Sequence, residues 1–223
     1  MAFLSNGNPC PFHYVALGDS LTVGVGAGIF NPGFVNEYRL MAEQSLQRPI
    51  SFNIFAKTGT TSQQILDSLS LPEITSHICH SEIITLTAGG NDLIKSGKNF
   101  LMNKNEEVLE ESLSNATANI SKIIDTIHQI HADKNQPFIL RLFNIYNPFP
   151  KIKFIDPWLQ QFNAHLASFS KQPHIEVADI YTAFSGKQNF LLSLDHIHPN
   201  IRGYHVMAQT VNNLGYDGLI NNK

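Results

Sequence analysis

The chain has 223 residues, a formal net charge of −3, and 43% hydrophobic residues. This length suits one α/β domain with a substantial core, so we expect a single domain over residues 1–223. The near-neutral charge, without a long run of Lys or Arg, argues against a nucleic-acid-binding surface or a polybasic membrane patch.

The predicted elements alternate between strands and helices. In chain order they are strand Tyr14–Leu17, helix Asn36–Leu46, strand Ile50–Phe55, helix Ser62–Leu69, helix Pro72–Cys79, strand Glu82–Thr87, helix Glu106–His131, strand Phe138–Phe143, helix Pro157–Phe169, strand Ile175–Ile180 and helix Pro199–Leu214. This order predicts an α/β fold, a flavodoxin-like three-layer α/β/α sandwich with a five-stranded, mostly parallel sheet. The carboxyl ends of its strands share one edge, where such folds bind ligands.

Targeting and redox signals are sparse. Residues 1–11 contain no basic region followed by an apolar core, so we expect no signal peptide. No apolar stretch is long enough to cross a bilayer, which favours a cytoplasmic protein, with non-classical export or deposition in a cell-surface structure as alternatives. Two cysteines, Cys10 and Cys79, are too few for a disulfide framework, although they could pair.

A serine follows the first predicted strand at the expected ligand edge. Gly18 ends the apolar run, and Asp19 and Ser20 are residue types that open helices. A helix that begins here directs free backbone N–H groups at any anion that forms beside Ser20. Ser20 is therefore a candidate nucleophile, although the same residues also occur in ordinary turns and helix caps.

A candidate base lies in the loop before the last predicted helix. Asp195 and His198 are three residues apart, so the carboxylate can bind one ring nitrogen while the other faces Ser20. His196 is a rival base that we expect to point elsewhere, and Pro199 is expected as the first helical residue. The alternative interpretation is a capping aspartate with solvated histidines.

Three hydrogen-bond donors could stabilise an oxyanion at the same edge. They are the N–H of Ser20, the N–H of Gly59 and the side-chain amide of Asn91, each of which follows a predicted strand. Gly59 could instead be a turn glycine, and Asn91 could form an Asx-turn or a helix cap.

These motifs together resemble the GDSL or SGNH hydrolase family. The matching blocks are Gly18-Asp19-Ser20-Leu21 with Gly24, then Gly59, Gly89-Gly90-Asn91-Asp92 and Asp195-His196-Ile197-His198-Pro199. The stretches Tyr14–Gly28 and Asn144–Pro150 are similar to the Bacillus-type lipase/acylhydrolase branch, which includes a spore germination lipase. The segment after Asn91 resembles the variable cap or specificity region of that family.

The resemblance implies a serine esterase or lipase that needs neither a metal nor a cofactor. Ser20 would attack the ester carbonyl, His198 would act as general base, and Asp195 would orient His198. The N–H groups of Ser20 and Gly59 and the Nδ2 of Asn91 would form the oxyanion hole. The resemblance also makes a spore-associated location an alternative to the cytoplasm.

The expected substrates are small-molecule or lipid esters, chiefly fatty acyl esters that include phospholipids or lysophospholipids. Carbohydrate acetyl esters and thioesters remain alternatives within the family. Apolar residues in the loops 29–34 and 147–150 could surround the acyl group. We expect transient contact with a lipid surface, no nucleic-acid partner and no transmembrane segment, and the sequence leaves the oligomeric state open.

Two rival hypotheses use other residues. A metal site would draw on His77, Cys79 and His80, but their spacing fits no structural zinc pattern, and His128 and His131 are expected to form a half-exposed surface pair. A non-catalytic binding module would cradle a phosphate with the glycines of residues 24–28, although a P-loop lysine and dinucleotide glycine spacing are absent.

Overall fold

A computed structural model describes residues 10–28, 31, 33–132 and 136–220 of this chain. Its strands are β1 Phe12–Gly18, β2 Ile50–Ala56, β3 Ile83–Leu86, β4 Ile139–Phe143 and β5 Ile175–Ala178. Its helices are α1 Ser20–Val23, α2 Phe34–Leu46, α3 Ser62–Ser68, α4 Pro72–Cys79, α5 Gly90–Asn103, α6 Glu107–Ala132, α7 Ile155–Ser168, α8 Ile180–Phe184, α9 Gln188–Leu191, α10 Ile201–Asn212 and α11 Asp217–Ile220.

The five strands form one sheet in the order β2-β1-β3-β4-β5, and every neighbouring pair is parallel. From β1 the chain first adds β2 on one side and then returns to add β3 on the other. Such a reversal of winding direction opens a crevice at the carboxyl ends of the two strands. The crevice therefore lies at the carboxyl ends of β1 and β3. Ser20 follows the end of β1 in the chain, and Asn91 follows the end of β3.

Alternating side chains of β1 build a separate core on each face of the sheet. Tyr14 and Ala16 pack on the face covered by α2 and α10, and both are fully buried. Val15 and Leu17 pack on the opposite face against α3, α4, α6 and α7. A strand buried on both faces is typical of parallel sheets between two helical layers. The predicted three-layer α/β/α sandwich is confirmed.

The sequence does not predict helix α5, because Gly89 precedes it and Gly90 and Gly97 lie within it, and glycine is a weak helix former. Gly89 allows the helix to begin close to α7. Its φ is +93°, and a Cβ at this position would lie 2.2 Å from Cζ of the buried Phe162. The segment that resembles a variable region is thus a helix that starts at the end of β3.

The end of one predicted strand and the start of one predicted helix are wrong. Strand β5 ends at Ala178 rather than at Ile180, because the Asp179 side chain accepts a hydrogen bond from Thr182 N–H and caps α8. Helix α7 begins two residues before Pro157, which still lies in its first turn. The first difference reflects capping chemistry that hydrophobic periodicity does not register. The start of α7 carries no side-chain cap at Phe154.

The prediction of Pro199 as a first helical residue is also wrong. Asn200 caps α10 by accepting hydrogen bonds from the N–H groups of Arg202 and Gly203. Pro199 instead pairs with Leu192 in an antiparallel bridge, which closes the loop that carries the candidate base.

The histidines and cysteines that the metal hypothesis used do not converge. His131 is buried and stacks on Phe138 with ring centroids 3.9 Å apart, so the expected half-exposed pair is wrong for this residue. Cys10 and Cys79 are both free. In the part of the chain that the structure describes, no group of three or more His, Cys, Asp or Glu side chains could hold a metal ion.

None of the helices in the described ranges combines the length and the apolarity needed to cross a membrane.

Candidate active site

Ser20 lies at the carboxyl end of the central strand β1. Asp19 caps α1 by accepting a hydrogen bond from Leu21 N–H at 3.0 Å, which makes Ser20 the first helical residue. Ser20 is only 7% exposed, yet it lines an open cleft at the carboxyl edge of the sheet. The strand-turn-helix expected from the sequence thus presents this hydroxyl at the crevice.

Three side chains form a continuous hydrogen-bonded relay at this edge. His198 Nε2 lies 2.9 Å from Ser20 Oγ, and His198 Nδ1 lies 2.5 Å from Asp195 Oδ2. Ser20 and His198 are separated by 178 positions in the chain. The structure therefore brings together the three residues predicted as nucleophile, base and orienting group, in hydrogen-bonding order.

The Asp195 carboxylate is held by more than the imidazole. Its Oδ1 accepts hydrogen bonds from Ser193 Oγ at 2.7 Å and from the N–H groups of Ile197 and His198 at 2.9 Å. Desolvation raises the pKa of Asp195, but the hydrogen bonds from His198, Ile197 and Ser193 outweigh it and hold the pKa well below its usual range. Asp195 is therefore ionised at neutral pH and holds the Nδ1 side of the imidazole in place.

Hydrogen bonds fix the loop of residues 193–199, and the sequence motifs did not predict them. Ser193 N–H donates to His198 O at 2.8 Å, and the Tyr146 hydroxyl donates to Ile197 O at 2.6 Å. Tyr146 follows β4 and is 4% exposed, so it links the sheet to the loop. His196 has a φ of +56° and an exposed side chain, and it does not line the cleft.

The three predicted oxyanion donors lie around the same cleft. Ser20, Gly59 and Asn91 all line it, and they follow β1, β2 and β3 respectively. Asn91 Nδ2 donates to Thr60 O at 2.9 Å, which ties the amide to the residue after Gly59. Their joint placement follows from strand order, while their role as donors stays a prediction.

A buried network missed by sequence reasoning connects these donor segments. The carboxylate of Asp92 accepts hydrogen bonds from Ser62 N–H at 2.9 Å and from Ser62 Oγ at 2.8 Å. Asn119 of α6 donates to Ser62 Oγ at 3.1 Å. The first turns of α3 and α5 are thereby fixed to each other. The only sequence signal was an Asp next to Asn91.

Asp19 joins the ends of β1 and β3. Its Oδ1 accepts a hydrogen bond from Thr87 Oγ1 at 2.9 Å, and Thr87 Oγ1 also lies 2.8 Å from Thr22 Oγ1. Burial raises the pKa of Asp19 from 3.8 to about 6, although hydrogen bonds from Leu21 and Thr87 and the charge of His198 oppose the increase. Asp19 is 4% exposed, so its ionisation is coupled to folding.

Asp19→Asn should therefore change how stability depends on pH. Between pH 3.8 and 6 the folded wild-type protein keeps the Asp19 proton that the unfolded chain releases, so stability falls as pH rises. The free energy of unfolding of the wild type should fall by about 3 kcal/mol over this range, and that of Asp19→Asn should not. Urea unfolding of both proteins at pH 4 and pH 7 measures the difference, and parallel pH profiles would contradict it.

An apolar cleft extends from the relay between α5 and α7. It has a volume of about 490 Å³. Its apolar lining includes Leu93, Ile94, Leu109, Phe149, Ile152, Phe154, Ile155, Trp158 and Leu159. Pro148 and Phe149 line it as expected for residues 147–150. Phe34 does not, because it is fully buried in the core against Phe143, and Ile29, Phe30 and Pro32 lie outside the described residues.

The glycine-rich segment of residues 24–28 packs against the loop of the candidate base. The N–H groups of Gly24 and Val25 both donate to Ser20 O, and that of Ala27 donates to Gly24 O. A Cβ on Gly26 would lie 2.6 Å from Pro199 O. Gly26 thus permits close packing against this loop, and the N–H groups of Gly24, Val25 and Ala27 already have backbone partners, which argues against the phosphate-cradle hypothesis.

Comparisons with known proteins identify a family and several similar chains. The model of the GDSL-like lipase/acylhydrolase family matches residues 16–206. The spore germination lipase LipC of Bacillus licheniformis is 41% identical over 206 residues, which cover 92% of this chain and 97% of that protein. The crystal structure of the lipase Lip_vut3 from a goat rumen metagenome has 40% identity and a TM-score of 0.89, covering 92% and 98% of the two chains.

A more distant structure shares the fold alone. The acetylxylan esterase of Geobacillus stearothermophilus has 14% identity and a TM-score of 0.68, covering 91% of this chain and 93% of the other. The family match spans both the serine after β1 and the loop that carries Asp195 and His198. This chain therefore belongs to the GDSL-like lipase/acylhydrolase family and is an enzyme that hydrolyses esters.

Proposed function

We propose that the enzyme hydrolyses fatty acyl esters through an acyl-enzyme formed on Ser20. The observation that carries this proposal is the relay from Ser20 Oγ through His198 to Asp195, with distances of 2.9 and 2.5 Å, at the end of an apolar cleft. A hydroxyl is a weak nucleophile by itself, and a base at hydrogen-bonding distance activates it.

Acylation begins when Ser20 Oγ attacks the ester carbonyl carbon. Its proton passes to His198 Nε2, and the carbonyl oxygen becomes an oxyanion. The N–H groups of Ser20 and Gly59 and the amide of Asn91 donate hydrogen bonds to this oxyanion. As the carbon–oxygen bond to the leaving group breaks, His198 gives the proton to the departing alcohol. The acyl group stays on Ser20.

Deacylation repeats the steps with water as the nucleophile. His198 Nε2 accepts a proton from the water, and the hydroxyl adds to the acyl carbon. Collapse of the second oxyanion expels Ser20 Oγ, which recovers the proton from His198 as the fatty acid leaves. In both steps Asp195 stays ionised and stabilises the charged imidazolium, in keeping with its lowered pKa.

The apolar cleft supports a fatty acyl group over a small polar one. Its lining from Leu93 to Leu159 is almost entirely hydrocarbon, so it suits an apolar group such as a fatty acyl chain. An acetyl group would leave most of its 490 Å³ unfilled. Phospholipids and lysophospholipids fall within the proposed class. A substrate presented in a bilayer or micelle would require transient contact with a lipid surface.

The same proposal extends to domain organisation and location. We expect one hydrolase domain, since the family match covers residues 16–206 and both cores pack on a single sheet. Similarity to a spore germination lipase supports a spore-associated location as the alternative to the cytoplasm. Fractionation of the producing cells and their spores, followed by detection of the chain, tests the location.

The direct test of the function is covalent labelling with a fluorophosphonate ester. We expect one adduct per chain by intact-mass analysis, located on Ser20 by peptide sequencing, and no adduct on Ser20→Ala. The labelled protein should also lose turnover of a p-nitrophenyl fatty acyl ester. An adduct elsewhere, or no adduct on folded wild-type protein, would overturn the proposed nucleophile.

A further inference from the structure

One face of α5 forms a wall of the cleft, and that face contains a glycine. Leu93, Ile94, Gly97 and Lys98 line the cleft at the three- and four-residue spacing of a helix face. A Cβ built on Gly97 meets no atom within 4 Å. The glycine therefore leaves open space where its neighbours on the same face carry side chains.

The fold itself does not require a glycine at this position. Gly97 lies in the middle of α5 with an ordinary helical backbone, and glycine costs a helix interior about 0.5–1 kcal/mol relative to alanine. Gly89, at the start of the same helix, differs because a side chain there would collide with Phe162. Gly97 lines the cleft, and a side chain there would meet open space instead of a packed neighbour.

The position of Gly97 on α5 indicates which part of an acyl chain would occupy this space. Asn91, a proposed oxyanion donor, lies six residues earlier on α5, which corresponds to about 9 Å at 1.5 Å per residue. Trp158 and Leu159 of α7 line the cleft with it. One turn beyond Gly97, the rings of Phe100 and Phe154 are 5.3 Å apart and join α5 to the segment before α7. Because Gly97 lies further along this helix than the proposed oxyanion donor, we expect a short acyl group on Ser20 to end before Gly97 and a longer one to pass it.

We propose that Gly97 sets the length of acyl chain that this enzyme accepts. The absent side chain leaves room for a long acyl chain to run along α5, and any larger residue at this position would shorten the cleft. This inference rests on the proposed function, because esterification at Ser20 is what directs the chain along this wall.

The test compares Gly97→Leu with wild type on p-nitrophenyl butyrate and p-nitrophenyl laurate. We expect the ratio of kcat/KM for laurate to that for butyrate to fall at least about tenfold, since each methylene excluded from an apolar pocket costs discrimination of this order. Gly97→Ala should lower the ratio in the same direction by a smaller factor. An unchanged ratio, or equal losses on both esters, would overturn the inference.

Lys95→Leu is the matched control. Lys95 lies on α5 two residues earlier, is exposed and does not line the cleft, so the same new side chain should leave the ratio of the two esters as in wild type. Circular dichroism establishes that each variant is folded. A decrease in the ratio for Lys95→Leu as large as that for Gly97→Leu would contradict a role specific to Gly97.

A binding measurement separates this inference from the proposed function. Laurate is titrated calorimetrically into Ser20→Ala and into the double variant that also carries Gly97→Leu. We expect Kd to rise at least about tenfold in the double variant. If the wild-type protein did not hydrolyse the esters but the two variants still differed in Kd for laurate, the proposed function would be refuted and the role of Gly97 would stand. Equal laurate binding by the two proteins would refute the role of Gly97, whatever the turnover.

Discussion

Ser20→Ala is expected to lower kcat for ester hydrolysis by about a millionfold, which is the effect of removing the nucleophile in serine hydrolases. The hydroxyl that His198 contacts at 2.9 Å is lost, and no covalent acyl-enzyme can form. The measurement is the initial rate with a p-nitrophenyl fatty acyl ester, with thermal unfolding followed by circular dichroism. Substantial turnover by a folded Ser20→Ala protein would refute the assignment.

Ser81→Ala is the matched control for this substitution. Ser81 is fully buried and donates a hydrogen bond to Ile78 O at 2.7 Å, but it precedes β3 at the opposite edge of the sheet. Its loss should cost about 1 kcal/mol of stability, as for a typical buried hydrogen bond, and leave kcat unchanged. Equal losses of kcat in the two variants would mean that packing, rather than chemistry, explains the effect of Ser20→Ala.

The two partners of Ser20 should differ in how much they contribute. His198→Ala removes the group that accepts and returns the proton, so kcat should fall about a millionfold. Asp195→Asn leaves the imidazole in place but removes the charge beside Nδ1, and the expected loss is about ten-thousandfold. The backbone N–H groups of Ile197 and His198 would still hold the shape of the loop through the asparagine oxygen.

Steady-state rates of the two single variants and of the double variant test this order. Because the residues act as one unit, the double variant should be no slower than His198→Ala by more than about tenfold. Losses that simply multiply, or an Asp195→Asn variant slower than His198→Ala, would contradict the roles assigned to the two side chains.

The strands and the longer helices could be predicted because their apolar patterns are strong. The continuous apolar run in β1 is typical of a strand buried on both faces, and the long apolar stripe of α6 is typical of an amphipathic helix. Helix α5 could not be predicted by the same means. Leu93, Ile94 and Gly97 on one face of this helix line a cleft, and its glycines weaken the helical signal.

That Ser20, Asp195 and His198 lie together could be predicted from the sequence, but the contacts that support this candidate site could not. Ser20, Asp195 and His198 occur in short local motifs, so their residue types were visible in the sequence. Their supports come from elsewhere in the chain: Thr87 binds Asp19, and Tyr146 binds the loop before His198. Contacts over such separations depend on the register of the sheet, which one sequence does not reveal.

The wrong predictions share a physical cause. Pro199 and Ile180 were assigned from their suitability for a helix start or a strand, whereas neighbouring side chains decided the boundary. Asn200 caps α10 and Asp179 caps α8, and each cap displaces the element by a residue or two. Burial of His131 escaped prediction for a related reason, because it depends on Phe138 across the core.

Ser20 and His198 are separated by 178 positions, so the relay can form only after residue 198 has been synthesised and folded. A ribosome-bound chain that has emerged only as far as α9 already contains the nucleophile and every strand of the sheet, but it has no base. Contacts of such high sequence separation form late, since the intervening chain must first be ordered. Ester cleavage during synthesis or refolding should therefore begin only when the last loop docks.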